Sequence, residues 1–332
     1  MLLLDVLKGQ KVNSIPVIAT GAGLAREWLG VSWEDFRSKG SVQAEVQINF
    51  QRQTGIDWVL NYSDALAIEE IFGCTIRFSP VSGPLMDQQL SLPDFKPLPK
   101  VDYYSCKSSA AVLEAVEISA RIVKDVPIGM LFEGPLTTAL RMFDPQIALR
   151  TMFKNPGLIR GVLEYLTEVL VGFGVEGIKK GATVFHIPEP FSSMDFISAR
   201  HFRDFSQPYI TRLIESLHQQ GGHVVLHMCG NTAGIWPNMV ETGARALSLD
   251  QKMSMADARA AVGDKVALAG NVDPIKALMM GDKEAVRTAS VACIQDAGPQ
   301  QFILMPGCGT PPGTPLENVQ EMVKTAKEYV IR

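Results

Sequence analysis

The chain has 332 residues, 46% hydrophobic and 20% charged, the balance of a globular enzyme and far from disordered or fibrous compositions. A formal net charge of -4 gives no general attraction to polyphosphate, and no lysine-arginine cluster interleaved with aromatics appears, which excludes nucleic acid as a partner. Five cysteines are too few, and odd in number, for a disulfide framework, pointing to a reducing cytoplasm; no apolar run reaches the ~18 residues of a membrane span.

Residues 1–8 read as an amphipathic helix and not a secretory signal, because Asp5 and Lys8 interrupt the apolar run and no small-residue cleavage site follows. Residues 15–19 form a short buried strand, and residues 24–29 an amphipathic stretch. A second strand spans 57–62. From 64 to 125 the pattern is less regular: residues 74–78 suit a hairpin strand, and residues 92–99 are a proline-punctuated loop. Most of this stretch reads as an insertion over the fold between strands two and three. Helical periodicity over 110–123 then leads into a strand at 127–134. A long helix over 156–180 ends at Gly181, and strands follow at 183–187, 223–228, 246–249, 266–269 and 302–305.

Eight strands alternating with helices predict one α/β domain over residues 1–332, a closed (β/α)8 TIM barrel with an N-terminal helix and the insertion. Such barrels work at the carboxyl ends of their strands. Glu133, Glu189, the run His227-Met228-Cys229-Gly230-Asn231, Asp250, Asp273 and Cys308 all occupy those edges. His227 and Cys229 are two apart in an extended run and so share a face. With Cys308, at the end of the last strand, they supply the imidazole and thiolates that zinc favours, leaving its fourth position exchangeable. The plainer reading makes them buried small residues and a satisfied core histidine. It suffices for Cys74, Cys106 and Cys293.

Glu189, Asn231 and Asp273 complete the candidate set as catalytic groups at the mouth. Glu189 is fixed between two prolines. Asp273, before Pro274, also suits a helix N-cap. His186 falls on the face opposite to Glu189 if the chain there is extended, and is left out. Thr314-Pro315-Leu316-Glu317 reads as a capping box, and no glycine-rich element matches a phosphate-binding fingerprint.

The runs His227-Met228-Cys229-Gly230-Asn231, Gly270-Asn271-Val272-Asp273-Pro274 and Pro306-Gly307-Cys308-Gly309 resemble the uroporphyrinogen decarboxylase superfamily over nearly the whole chain. The His-x-Cys pair with a distant Cys is similar to its corrinoid-dependent zinc methyltransferases, whereas the arginine-rich segment of the porphyrinogen decarboxylases is represented by Arg26 alone. The resemblance implies a zinc held by His227, Cys229 and Cys308. It also implies methyl transfer between a corrinoid protein, carrying a methylated or Co(I) corrinoid, and a small-molecule donor or acceptor. A thiol such as coenzyme M is one acceptor; a methyl ether demethylated onto Co(I) is the alternative, and a porphyrinogen decarboxylase or zinc-free tetrapyrrole-binding barrel is a third reading. The sulfonate of coenzyme M calls for a cation such as Arg26, Arg141 or Arg245; an aromatic ether calls for Phe132, Phe185, Phe191 or Trp236.

Overall fold

A strand buried on both faces reads as a continuous apolar run, and such strands pair in parallel when helices cover the sheet. In a computed structural model describing residues 1–79 and 83–331, the runs form β1 (Val59–Asn61), β4 (Ile128–Leu131), β5 (Val184–Pro188), β6 (His223–Met228), β7 (Ala246–Leu249), β8 (Ala267–Val272) and β9 (Phe302–Pro306). They pair in parallel in the order β1-β4-β5-β6-β7-β8-β9. Two further strands, β2 (Thr75–Ser79) and β3 (Gly83–Gln88), make a separate antiparallel hairpin.

The strand read at residues 15–19 survives only as a bridge between Val17 and Leu304, yet it closes the ring. On one side Ile18 N–H donates to the Leu304 carbonyl (3.1 Å) and Leu304 N–H to that of Pro16 (2.9 Å). On the other, Asp57 N–H donates to the Val17 carbonyl (2.7 Å) and Val17 N–H to the Asp57 carboxylate (2.7 Å). Trp58, fully buried, donates its indole N–H to the Ala19 carbonyl at 3.0 Å. The barrel is thus complete, its thinnest strand held by a side chain as well as by backbone.

The helices follow local signals. Pro156–Lys179 starts with Asn155 accepting from Leu158 N–H and proline in its first turn. Lys107–Ile122 packs against Gly40–Thr54 outside β1 and β4. The hairpin lies where the insertion was expected, and its strands are only partly buried. One expectation fails: Leu316–Glu328 has no side-chain cap, and the Thr314 hydroxyl instead donates to the Pro311 carbonyl (2.8 Å), turned back into its own loop. Among the described residues no helix is long and apolar enough to cross a membrane.

Trp58→Phe keeps the aromatic bulk but strands the Ala19 carbonyl. We expect a loss of about 1–3 kcal/mol in urea unfolding; an unchanged midpoint would show that the indole bond does not support closure.

Candidate metal centre

His227 lies in β6 and Cys229 directly follows it. Their shared face brings His227 Nε2 within 2.9 Å of Cys229 Sγ. Cys308, two residues beyond β9, places its Sγ 3.3 Å from that of Cys229, and the three donor atoms lie within 4.8 Å of one another. A sulfur separation of 3.3 Å is far beyond the ~2.05 Å of a disulfide, so both thiols are free. Tetrahedral zinc with bonds of about 2.3 Å holds two sulfurs roughly 3.7 Å apart. The set therefore fits a metal such as zinc after opening slightly. The Cys229 S–H, directed at Cys308, holds the Cys308 thiol below its ordinary range, while that same bond and burial push Cys229 up.

Neighbouring groups fix the donors. His227 pairs in register with Ser248 of β7, and its Nδ1 lies 3.0 Å from Ser248 Oγ. The Ser248 hydroxyl is directed at Met305 Sδ (3.4 Å), so Nδ1 is the donor to serine and Nε2 faces the thiols with its lone pair. An outer partner of this kind sets both tautomer and ring direction. Gly230 turns the chain straight after Cys229 with φ +80, where a Cβ would sit 2.1 Å from Asp195 Oδ2. Gly307 packs on the backbone of Gln251, at 2.4 Å from a Cβ placed there; only glycine seats Cys308 at this depth.

The three candidate ligands open on a cavity of about 260 Å³, whose wall also includes His186, Glu133, Arg141, Tyr62 and Thr20. His186 stacks on His227 with ring centres 5.6 Å apart, and burial followed by His227 keeps it well below its usual range and neutral. Alternation holds here: His186 and Pro188 face the cavity and Glu189 faces the other way, onto Leu136 and Thr137 N–H. Sequence reasoning missed His186 because it assigns the mouth to Glu189. Arg141 comes from Pro135–Met142, and nothing in the sequence distinguished it from Arg26 or Arg245.

Glu189, Asn231 and Asp273 do not join this wall. Glu189 is fully buried and accepts N–H bonds from Leu136 (2.9 Å) and Thr137 (3.1 Å) at a helix start. Burial pushes its carboxyl up to about 8. Asn231 is exposed and caps a turn through Ala233 N–H (3.2 Å). Asp273 accepts from Ile275 and Lys276 N–H (2.9 and 2.8 Å), the capping role its place before proline allowed.

With this geometry in hand, the relatives are informative. Residues 1–329 match the family model described as uroporphyrinogen decarboxylase (URO-D). The chain is 27% identical to the Methylcobamide:CoM methyltransferase MtaA of Methanosarcina barkeri, covering 98% of this chain and 97% of that one. It is 25% identical to the uroporphyrinogen decarboxylase of Coxiella burnetii, covering 85% and 80% respectively. A solved methyltransferase from Methanosarcina mazei has the same barrel, with a TM-score of 0.89, 26% identity and coverage of 98% and 97%.

Two substitutions probe the support without touching a ligand. Ser248→Ala should weaken zinc binding roughly 10- to 100-fold in a chelator competition, with the fold retained. Gly307→Ala should cost about 1–3 kcal/mol of stability as Cys308 is displaced. Full affinity in both variants would count against a site tuned for metal.

Proposed function

The chain belongs to the uroporphyrinogen decarboxylase family, and from that premise we propose that it is a zinc-dependent methyltransferase. It moves a methyl group between a corrinoid, carried by a partner protein, and a small thiol such as coenzyme M. One observation carries this reading: an imidazole nitrogen and two thiol sulfurs within 4.8 Å of one another, on the wall of a small cavity.

His227, Cys229 and Cys308 would hold the ion, and bound zinc would supply a Lewis acid that stabilises a substrate thiolate near neutral pH. The rest is the work of the chain. Ser248 keeps His227 Nε2 aimed at the thiols. Neutral His186, stacked on His227, adds no competing charge. The cavity, at about 260 Å³, is below the ~300–1,000 Å³ typical of drug-sized ligand sites. It suits a small substrate, whereas a corrinoid must present its face from outside so that donor and acceptor align.

The same wall separates the substrates. Of the three arginines that suit a sulfonate, only Arg141 lines the cavity. Arg26 is bound to the Val31 carbonyl and lies over the Trp33 ring, and Arg245 lies in a different hollow beside Lys8 and Lys265. This favours an anionic thiol, and it leaves the one arginine of the N-terminal segment engaged, against porphyrinogen decarboxylation. Phe132, Phe185, Phe191 and Trp236, which would receive an aromatic methyl ether, are not on the wall.

Purified protein should contain about one zinc per chain by elemental analysis, and Cys308→Ala or Cys229→Ala should lose most of it. Supplied with a methylated corrinoid protein, it should methylate coenzyme M. Arg141→Met should raise the ratio of the KM for coenzyme M to that for uncharged 2-mercaptoethanol roughly tenfold or more. Methylation of Co(I) corrinoid by a methoxylated aromatic, with no thiol accepted, would overturn the thiol reading.

A further inference from the structure

Part of the cavity wall carries charge that the metal centre does not use. Glu133 follows β4 and shares the cavity with Cys229 and Cys308, yet is only 3% exposed. Its Oε2 lies 2.5 Å from Arg141 Nε and is otherwise without a donor among the described residues. A second acid, Glu69, is 1% exposed, and neither of its oxygens has a hydrogen-bond partner among the described residues. Two neighbouring buried carboxyls do not both ionise. Burial and the Glu133 charge hold Glu69 well above the carboxylate range, so Glu69 carries the proton. Glu133 is the one left to ionise, its carboxyl pushed up to about 7 by burial and restrained by Arg141.

We propose that Glu133 is a catalytic residue, the carboxylate that accepts the proton of the thiol substrate as it enters the cavity. The inference rests on the thiol-methylating reading. The substrate S–H bond breaks, its electron pair stays on sulfur, and an O–H bond forms on Glu133. Arg141 then loses its anionic partner just as a thiolate appears, so the total charge of the cavity is unchanged and no charge is stranded there. After methylation the thioether is neutral, and Glu133 returns its proton to water.

The other charged groups around Glu133 are committed elsewhere. Asp64, which follows β1, is paired with Arg37. Glu189 accepts backbone N–H bonds outside the cavity wall. Cys229 belongs to the metal set, and Glu69 is already protonated.

Calorimetry of zinc-loaded protein with 2-mercaptoethanesulfonate, run in two buffers of different ionisation enthalpy, counts the protons released per thiol bound. Near pH 8 wild type should release close to none, because Glu133 keeps the proton. As pH falls through about 7 Glu133 is already protonated, and release should rise toward one. Glu133→Gln should release about one throughout and lower kcat/KM at least roughly 100-fold, the scale of a lost general base. The pH series on wild type needs no variant and stands even if the Gln protein is unstable. Release of one proton by wild type near pH 8, matched by Glu133→Gln, overturns the assignment while leaving the thiol reading intact. Failure of the thiol to bind at all overturns both.

Discussion

The register between β5, β6 and β7 is the constraint on which the mouth depends. Pro188, His227 and Ser248 are successive partners across three parallel strands, so their side chains point the same way at the same height. A slip of one residue would turn His227 into the outer layer and Ser248 away from it. Register is therefore the same thing as ligand geometry here. The apolar residues between these positions, such as Val224 and Leu226, are fully buried and resist any such slip. Cys308 arrives from β9, which the ring brings round through β8, and its depth is set by the contact of Gly307 with Gln251.

What the sequence made legible follows the same division. His227 and Cys229 could be read as a pair because strand periodicity is local, and Cys308 because a buried run ending in Gly-Cys-Gly is conspicuous. The barrel was legible through its continuous apolar strands. The first strand was right in place but not in extent, since only Val17 bridges and its hold on the segment before β1 includes the Asp57 carboxylate and the Trp58 indole, side-chain bonds that no local pattern encodes. His186 was hidden because alternation places it opposite Glu189 without saying which of the two faces the cavity; it is His186 that does. Arg141 folds back to Glu133 from the far end of the next helix, Pro135–Met142, and Glu69 comes from the much earlier Ala67–Ile71; neither meeting is written in a local pattern. Asp273 was legible as a cap and is one; proline after an acid is a stronger local signal than position on a strand end.

The mouth also shows a tension between stability and chemistry. Glu69, Glu133 and Glu189 are all buried within a largely apolar barrel, and burying a carboxylate costs several kcal/mol unless it is paired or protonated. Each is relieved differently. Glu189 receives backbone N–H groups at a helix start, Glu133 an arginine, and Glu69 a proton in place of a partner. The Glu189 bonds fix the start of the helix that carries Arg141, so one buried acid positions the cation that another requires.

These acids also explain why the metal set and the cavity wall are built from opposite kinds of group. A site of two thiolates and one neutral imidazole nearly cancels the charge of a divalent ion, so it offers little net attraction to an anionic substrate. Charge for holding such a substrate has to come from the wall, and Arg141 is the wall's cation. Arg141 is part-exposed, but its Nε is buried, and the Glu133 carboxylate gives that nitrogen an anionic partner. In the proposed reaction, a counterion that can accept a proton is better than one that cannot: it would neutralise Arg141 while the cavity is empty and withdraw when a thiolate takes its place. That requirement selects a glutamate buried enough to hold a proton near neutral pH, which is the setting Glu133 occupies.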